Sequence, residues 1–245
     1  MQDLRYSVAT VLAILLVAAC THEPAKPPTS AEIESMGLLA TDGRQSKAQA
    51  QLQNWAEAGY AVAQRELALG YARQPAQYAR ALAWFEKAGH AGDAEAAFQL
   101  GEAYRQPTLG ATQNLKLAWD WYRLAAEHQH ALAALSLARM ARNGDGVPRD
   151  LGLAARWLNV ASEQGNPQAM FLLSNAYLAG EGVPRNPIMA RRLLELSAER
   201  HYPAALHQLA MAVEGGDMLM LKDPERAGWL RKEAAEEARN RWNTY

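Results

Sequence analysis

Apolar residues along most of this chain fall at spacings of three and four, which puts them on one face of a helix. Strand formers are scarce: beyond residue 19 the only isoleucines are Ile33 and Ile188, and no strand is predicted. The pattern also repeats. The blocks GYAVAQRELALGY from Gly59, GDAEAAFQLGEAY from Gly92, QHALAALSLARMA from Gln129, GNPQAMFLLSNAY from Gly165 and HYPAALHQLAMAV from His201 align without gaps, their starts 33 to 37 residues apart. Each is followed by a second helical pattern of a small residue, a bulky one three later, then two small ones. Its copies are Ala81-Trp84-Ala88-Gly89, Ala118-Trp121-Ala125-Ala126, Ala154-Trp157-Ala161-Ser162, Ala190-Leu193-Ser197-Ala198 and Ala227-Leu230-Ala234-Ala235.

The small residues Ala63, Ala96, Ala133, Ala169 and Ala205 let helices approach closely, and the bulky residues fill the space between them. A turn separates the two helices of each unit, most fully kept as NGDGVPRD (Asn143 to Asp150) and AGEGVPRN (Ala179 to Asn186). Gly144 and Gly146 suit backbone angles that a side chain resists, while Pro148 and Pro184 stop a helix from running through. The pattern therefore predicts repeats over 59–91, 92–128, 129–164, 165–200 and 201–245, the last carrying a charged capping helix, with a lone capping helix over 44–58.

Leu100-Gly101, Tyr104, the Gly144-Asp145-Gly146-Val147 and Gly180-Glu181-Gly182-Val183 turns, and the Ala-Trp-Ala-Ala second helices resemble the Sel-one-like repeat family, relatives of the tetratricopeptide repeats. The resemblance covers roughly residues 45–240 and implies an all-α fold: a right-handed α-solenoid of about five helix hairpins whose first helices line the inner surface. Repeat one has a short turn (RQPAQ), repeat two has QPTLGATQN without the Gly-Val pair, and repeat five replaces the tyrosine with Val213.

The N-terminus is built differently. Val8 to Ala19 is an apolar run broken only by Thr10, too short to span a bilayer and of signal-peptide length. Val17-Ala18-Ala19-Cys20 resembles a bacterial lipobox, which implies removal of residues 1–19 and lipidation of Cys20. By analogy with enterobacterial lipoprotein sorting, Thr21 rather than an aspartate after the cysteine implies the outer membrane, with the chain facing the periplasm. Residues 20–43, with Pro24, Pro27 and Pro28, are expected to form a tether.

Composition narrows the chemistry. A net charge of -1 gives no electrostatic case for nucleic acid, and a single cysteine excludes an internal disulfide framework or a cysteine-rich zinc site. His128-Gln129-His130 is the only close histidine pair and lacks further ligands, and Asp145 and Glu181 lack the alternating oxygen donors of a calcium loop. No nucleotide-binding glycine loop or nucleophile elbow occurs. Trp84, Trp121 and Trp157 share one repeat position and read as packing residues. The expectation is a non-enzyme with no cofactor, metal or small-molecule substrate. It would be a membrane-anchored periplasmic adaptor supporting assembly of an envelope secretion or polysaccharide-export complex. The alternative is a regulatory module for an envelope enzyme such as a peptidoglycan hydrolase. By analogy with tetratricopeptide geometry, the protein-binding residues on the concave face would be Arg65, Arg73, Glu95, Glu102, Arg105, Arg139, Arg142, Asn143, Asn175 and His207.

Overall fold

A computed structural model describes residues 26–41 and 46–242. The described residues form twelve α-helices and no strand. Helices α1 (Ser30–Thr41) and α2 (Ser46–Glu57) precede five hairpins. The hairpins are α3 (Ala61–Ala72) with α4 (Tyr78–His90), α5 (Ala94–Arg105) with α6 (Leu115–Glu127), α7 (Ala131–Asn143) with α8 (Leu151–Glu163), α9 (Pro167–Ala179) with α10 (Pro187–Glu199), and α11 (Pro203–Gly215) with α12 (Pro224–Trp242). Each helix packs chiefly on its sequence neighbours, the organisation of an α-solenoid. The Cys20 lipobox lies outside the described residues, and no helix among the described residues is long and apolar enough to cross a membrane.

The residues that start each repeat do so for a backbone reason. Gly59, Gly92 and Gly165 have φ of 95°, 94° and 87°, and the two non-glycine starts, Gln129 and His201, adopt φ of 64° and 55°. All five repeat junctions therefore need the left-handed region, which a glycine enters at least cost. The turn within a hairpin is built from a second set of rules. Gly144, Gly180 and Gly216 end the first helices with left-handed caps. Arg149 Nε donates to the Arg142 carbonyl and Arg185 Nε to the Leu178 carbonyl, each at 3.1 Å, so the arginine after the turn proline satisfies the end of the first helix. The next residue, Asp150 or Asn186, accepts from the third backbone N–H of the second helix. One Pro-Arg-Asp/Asn triplet thus closes one helix and opens the next.

Packing explains the leucine-glycine pair. Leu100 is fully buried, and a Cβ at Gly101 would sit 2.5 Å from the Tyr122 ring. Tyr122 is itself among the largest fully buried side chains. Second helices supply bulk and first helices supply alanine: Trp121, Phe85 and Leu194 lie among buried Ala68, Ala97, Ala133 and Ala205. The turns also stack between repeats, since a Cβ on Gly146 would fall 2.6 Å from the Leu115 carbonyl, and one on Gly182 would overlap the Leu151 carbonyl.

The expected tether over 20–43 is corrected: Ser30–Thr41 is helical. Thr29 and Glu32 form a reciprocal capping box, the Thr29 N–H donating to Glu32 Oε2 at 2.7 Å and the Glu32 N–H donating to Thr29 Oγ1 at 3.3 Å. That bonding holds the Glu32 carboxyl below its usual range. One turn later Ile33 is only 2% exposed, in a cluster with Leu52, Ala63 and Leu67. Helix α1 packs on both α2 and α3, so the N-terminal cap is a hairpin rather than the single helix expected over 44–58.

Candidate partner-binding surface

Equivalent positions of the five first helices form rows along the stack. One row holds Leu69, Glu102, Arg139, Asn175 and Met211, and another holds Val62, Glu95, Leu132, Gln168 and Ala204. Leu69, Leu132, Arg139 and Met211 are exposed, Leu132 by 51% and Met211 by 49%. The face is therefore mixed apolar and polar, the composition expected where a partner covers part of it.

The structure divides the ten predicted residues into two groups. Half of them are engaged by their own chain. Arg65 binds Glu34 at 2.7 Å, Glu66 at 3.1 Å and Asp93 at 3.0 Å, joining α1, α3 and the start of α5. Burial opposes the Arg65 charge, and the three carboxylates together more than offset it, raising its pKa. Burial pushes Asp93 and Glu66 up despite that guanidinium. Glu95 lies 3.1 Å from His130 Nε2, and His130 Nδ1 accepts from the Ala133 N–H, capping α7. The His130 hydrogen bond is the main reason the Glu95 carboxyl sits below its usual range. Glu102 accepts from the Tyr122 hydroxyl at 2.5 Å and from Arg105 at 2.6 Å, and Arg105 Nε also donates to Tyr122 at 3.0 Å. Burial, then Glu102, pushes the Tyr122 hydroxyl well above the usual phenol range. Asn175 accepts from Gln208 at 2.9 Å, linking α9 to α11.

The other half faces outward. Arg73, Arg139, Arg142, Asn143 and His207 are exposed. Arg142 reaches Glu181 only at 3.8 Å, and Asn143 donates to Asp145 at 3.2 Å. Arg73, Arg139 and His207 make no ion pair among the described residues. Arg105, Arg139 and Asn143 line one small cavity of about 40 Å³. Arg142 and Asn175 share another of about 220 Å³ with Leu158 and Leu172. Arg73 stands apart, beside Tyr71 and Gln77. Charge-led reading missed the exposed Leu69, Leu132 and Met211, although two of them occupy the same register as Arg139. It also missed His130 and Tyr122, whose roles depend on the neighbouring repeat. Among the described residues no group of three or more His, Cys, Asp or Glu side chains is gathered as a metal would need.

A stack of helix hairpins presenting an extended apolar and basic face defines a helical-repeat interaction protein. Its family follows from the repeat units themselves. The Sel1 repeat model matches residues 61–93, 94–130, 131–166, 167–202 and 203–238, and the chain belongs to the Sel1 repeat family, whose members generally mediate protein–protein interaction. A Sel1 repeat protein from Oxalobacter formigenes has a similar structure, with 26% identity, a TM-score of 0.75, and coverage of 84% of this chain and 85% of that one. A protective antigen of uropathogenic Escherichia coli strains, displaying an SLR fold, is similar at 25% identity and a TM-score of 0.73, over 85% of this chain. This chain spans 46% of the length of the Escherichia coli protein. No curated protein matches the chain significantly.

Proposed function

We propose that this chain is a scaffold anchored in the cell envelope through Cys20, holding a protein partner against its first-helix face and supporting assembly of an envelope secretion or export complex. The observation that carries the reading is the imbalance on that face. Its carboxylates, Glu95 and Glu102, are satisfied by His130, Arg105 and Tyr122, whereas Arg139 and His207 are exposed and unpaired among the described residues. Beside them stand the exposed Leu132 and Met211. Such a face suits a partner segment that offers carboxylates and one or two apolar side chains. The anchor rests on the lipobox-like Val17-Ala18-Ala19-Cys20.

Two measurements test the two halves of this reading. Intact mass of the membrane-extracted protein is expected to begin at Cys20 with added acyl chains, and an unmodified chain starting at Met1 removes the anchor. Photo-crosslinking in living cells from positions 132 and 211 is expected to trap a discrete envelope protein. An Arg139→Ala/Arg142→Ala variant should weaken that capture by about tenfold, as expected for loss of two charge-assisted contacts. Unchanged capture by the double variant, with its helix content intact, overturns the face assignment.

A further inference from the structure

A second surface lies on the other side of the last hairpins. In the second helices, Trp84, Trp121, Trp157, Leu193 and Leu230 occupy one register. The buried Trp121 shows what that position does: it packs against the end of the preceding second helix, 4.9 Å from the His90 ring and close enough that a Cβ on Gly89 would meet it at 3.1 Å. Between α10 and α12 the corresponding residues are Leu230 on one side and Ala198 and Glu199 on the other. Leucine is too small to fill what tryptophan fills. A cavity of about 470 Å³ remains, floored by Ala198, Leu206, Leu209 and Leu230.

Beyond this floor the surface is mixed, with exposed apolar side chains on either side of the Arg191–Glu195 ion pair. Trp229 forms one wall and is 61% exposed. On α10, Ile188, Arg191, Glu195 and Ala198 follow at spacings of three and four, so they share one face with the floor. Ile188 is 70% exposed, and Arg191 donates to the Leu219 carbonyl at 2.8 Å, which brings the exposed Leu219 to the same end. Met218 and Leu219 both have positive φ, 53° and 61°; Met218 packs back on the core of the last hairpins while Leu219 stands exposed on this strained loop. The result is an elongated track along two helices rather than an isolated dimple.

Charge says what fits it. The lining carries Glu195, Glu199 and Glu233 against Arg226, and Arg191 beside it bonds Glu195 at 3.1 Å, so carboxylates outnumber guanidiniums by three to two. Glu233 Oε1 lies 2.8 Å from His201 Nδ1, while its Oε2 is buried with no hydrogen-bond partner among the described residues. A buried carboxylate oxygen without a donor is costly, and it leaves this end of the groove acidic. We propose that the groove between α10 and α12 docks an amphipathic helix of a partner protein, one carrying basic residues beside its apolar stripe. This surface is separate from the first-helix face and has the opposite charge character, so it does not depend on that reading.

The test uses the full chain and a fluorescein-labelled amphipathic peptide of about 18 residues, long enough to form a helix once docked, with leucines at helical spacing flanked by lysines. The lysine peptide is expected to bind, with hydrogen-exchange protection confined to residues 188–199, 206–209 and 226–237. A glutamate-flanked peptide of the same apolar pattern should bind at least about tenfold more weakly. Trp229→Ala should cost about tenfold, as loss of an aromatic wall does. Leu230→Trp, which restores the residue of the first three repeats, should fill the groove and abolish binding. Because Trp229 is exposed, its variant keeps the fold even if Leu230→Trp does not, and Glu199→Lys provides a further surface change that should weaken the lysine peptide. The proposal is overturned by no binding, by equal binding of both peptides, or by protection on α3, α5, α7 and α9 instead. It is also overturned if anionic lipid vesicles, or a second copy of the chain in sedimentation, occupy the groove in a Trp229-dependent way.

Discussion

The starts of the five repeats show how one backbone angle dictates a residue. Positive φ recurs at 59, 92, 129, 165 and 201, yet Gln129 and His201 carry side chains there. A left-handed non-glycine residue costs roughly 1–2 kcal/mol, and glycine's extra freedom in the unfolded chain offsets part of the gain. Gln129→Gly should therefore stabilise the protein by about 1 kcal/mol, near 2–4 °C in melting temperature for a chain of this size. Thermal unfolding by circular dichroism measures it, and a lower midpoint would contradict the junction argument. The opposite change at Gly182 should cost about 2–4 kcal/mol, because alanine adds left-handed strain and a Cβ that overlaps the Leu151 carbonyl. At this scale sequence reading is strongest where a residue answers to its own backbone, as the turn glycines do. It is weaker where a role is lent by the next repeat: Glu95 reads as a free carboxylate until His130 is folded against it.

Helix α1 marks the boundary of what periodicity revealed. The hairpins from Gly59 onward declared themselves by repetition, and α1 has no copy to be compared with. Its face is also short, with Ile33 and Gly37 buried, Met36 and Ala40 half-buried, and Leu38 and Leu39 exposed. The Thr29-x-x-Glu32 box was nonetheless a usable local signal of a helix start, masked by the prolines just before it. Beside the Ile33 cluster, Arg65 ties α1 to the stack. Its side chain is 15% exposed and bridges Glu34 on α1 to the buried Asp93 at the start of α5. Arg65→Met would keep the stem's packing while leaving Asp93 and Glu66 without their cation, a loss of about 3–5 kcal/mol if the pair behaves as a broken buried bridge. Amide exchange of α1 is expected to accelerate far more than that of α9 to α12, since repeats couple only to their neighbours. Uniform acceleration along the chain would show that α1 is not tied through this residue.

A stack in which each hairpin touches only its neighbours can carry two surfaces that answer to different partners. Arg139 and Arg142 belong to α7 in the third hairpin, while Trp229 and Leu230 belong to α12 in the fifth, and the two pairs share no helix. Sites this separate, with no common contact, combine additively to within about 0.5 kcal/mol, about a twofold change in affinity. The Arg139→Ala/Arg142→Ala variant should thus leave affinity for the lysine-flanked peptide unchanged within that margin, and Trp229→Ala should leave crosslinking from position 132 unchanged. Salt should discriminate them as well. Raising ionic strength shortens the screening length from about 8 Å toward 3 Å, which weakens exposed arginine contacts most. The apolar floor of Ala198, Leu206 and Leu209 is insensitive to that screening, so peptide binding should retain a salt-resistant component that Leu230→Trp removes. If either variant altered both interactions, the two surfaces would be coupled through the intervening fourth hairpin. The solenoid would then act as a single cooperative body rather than as a rack of independent docking faces.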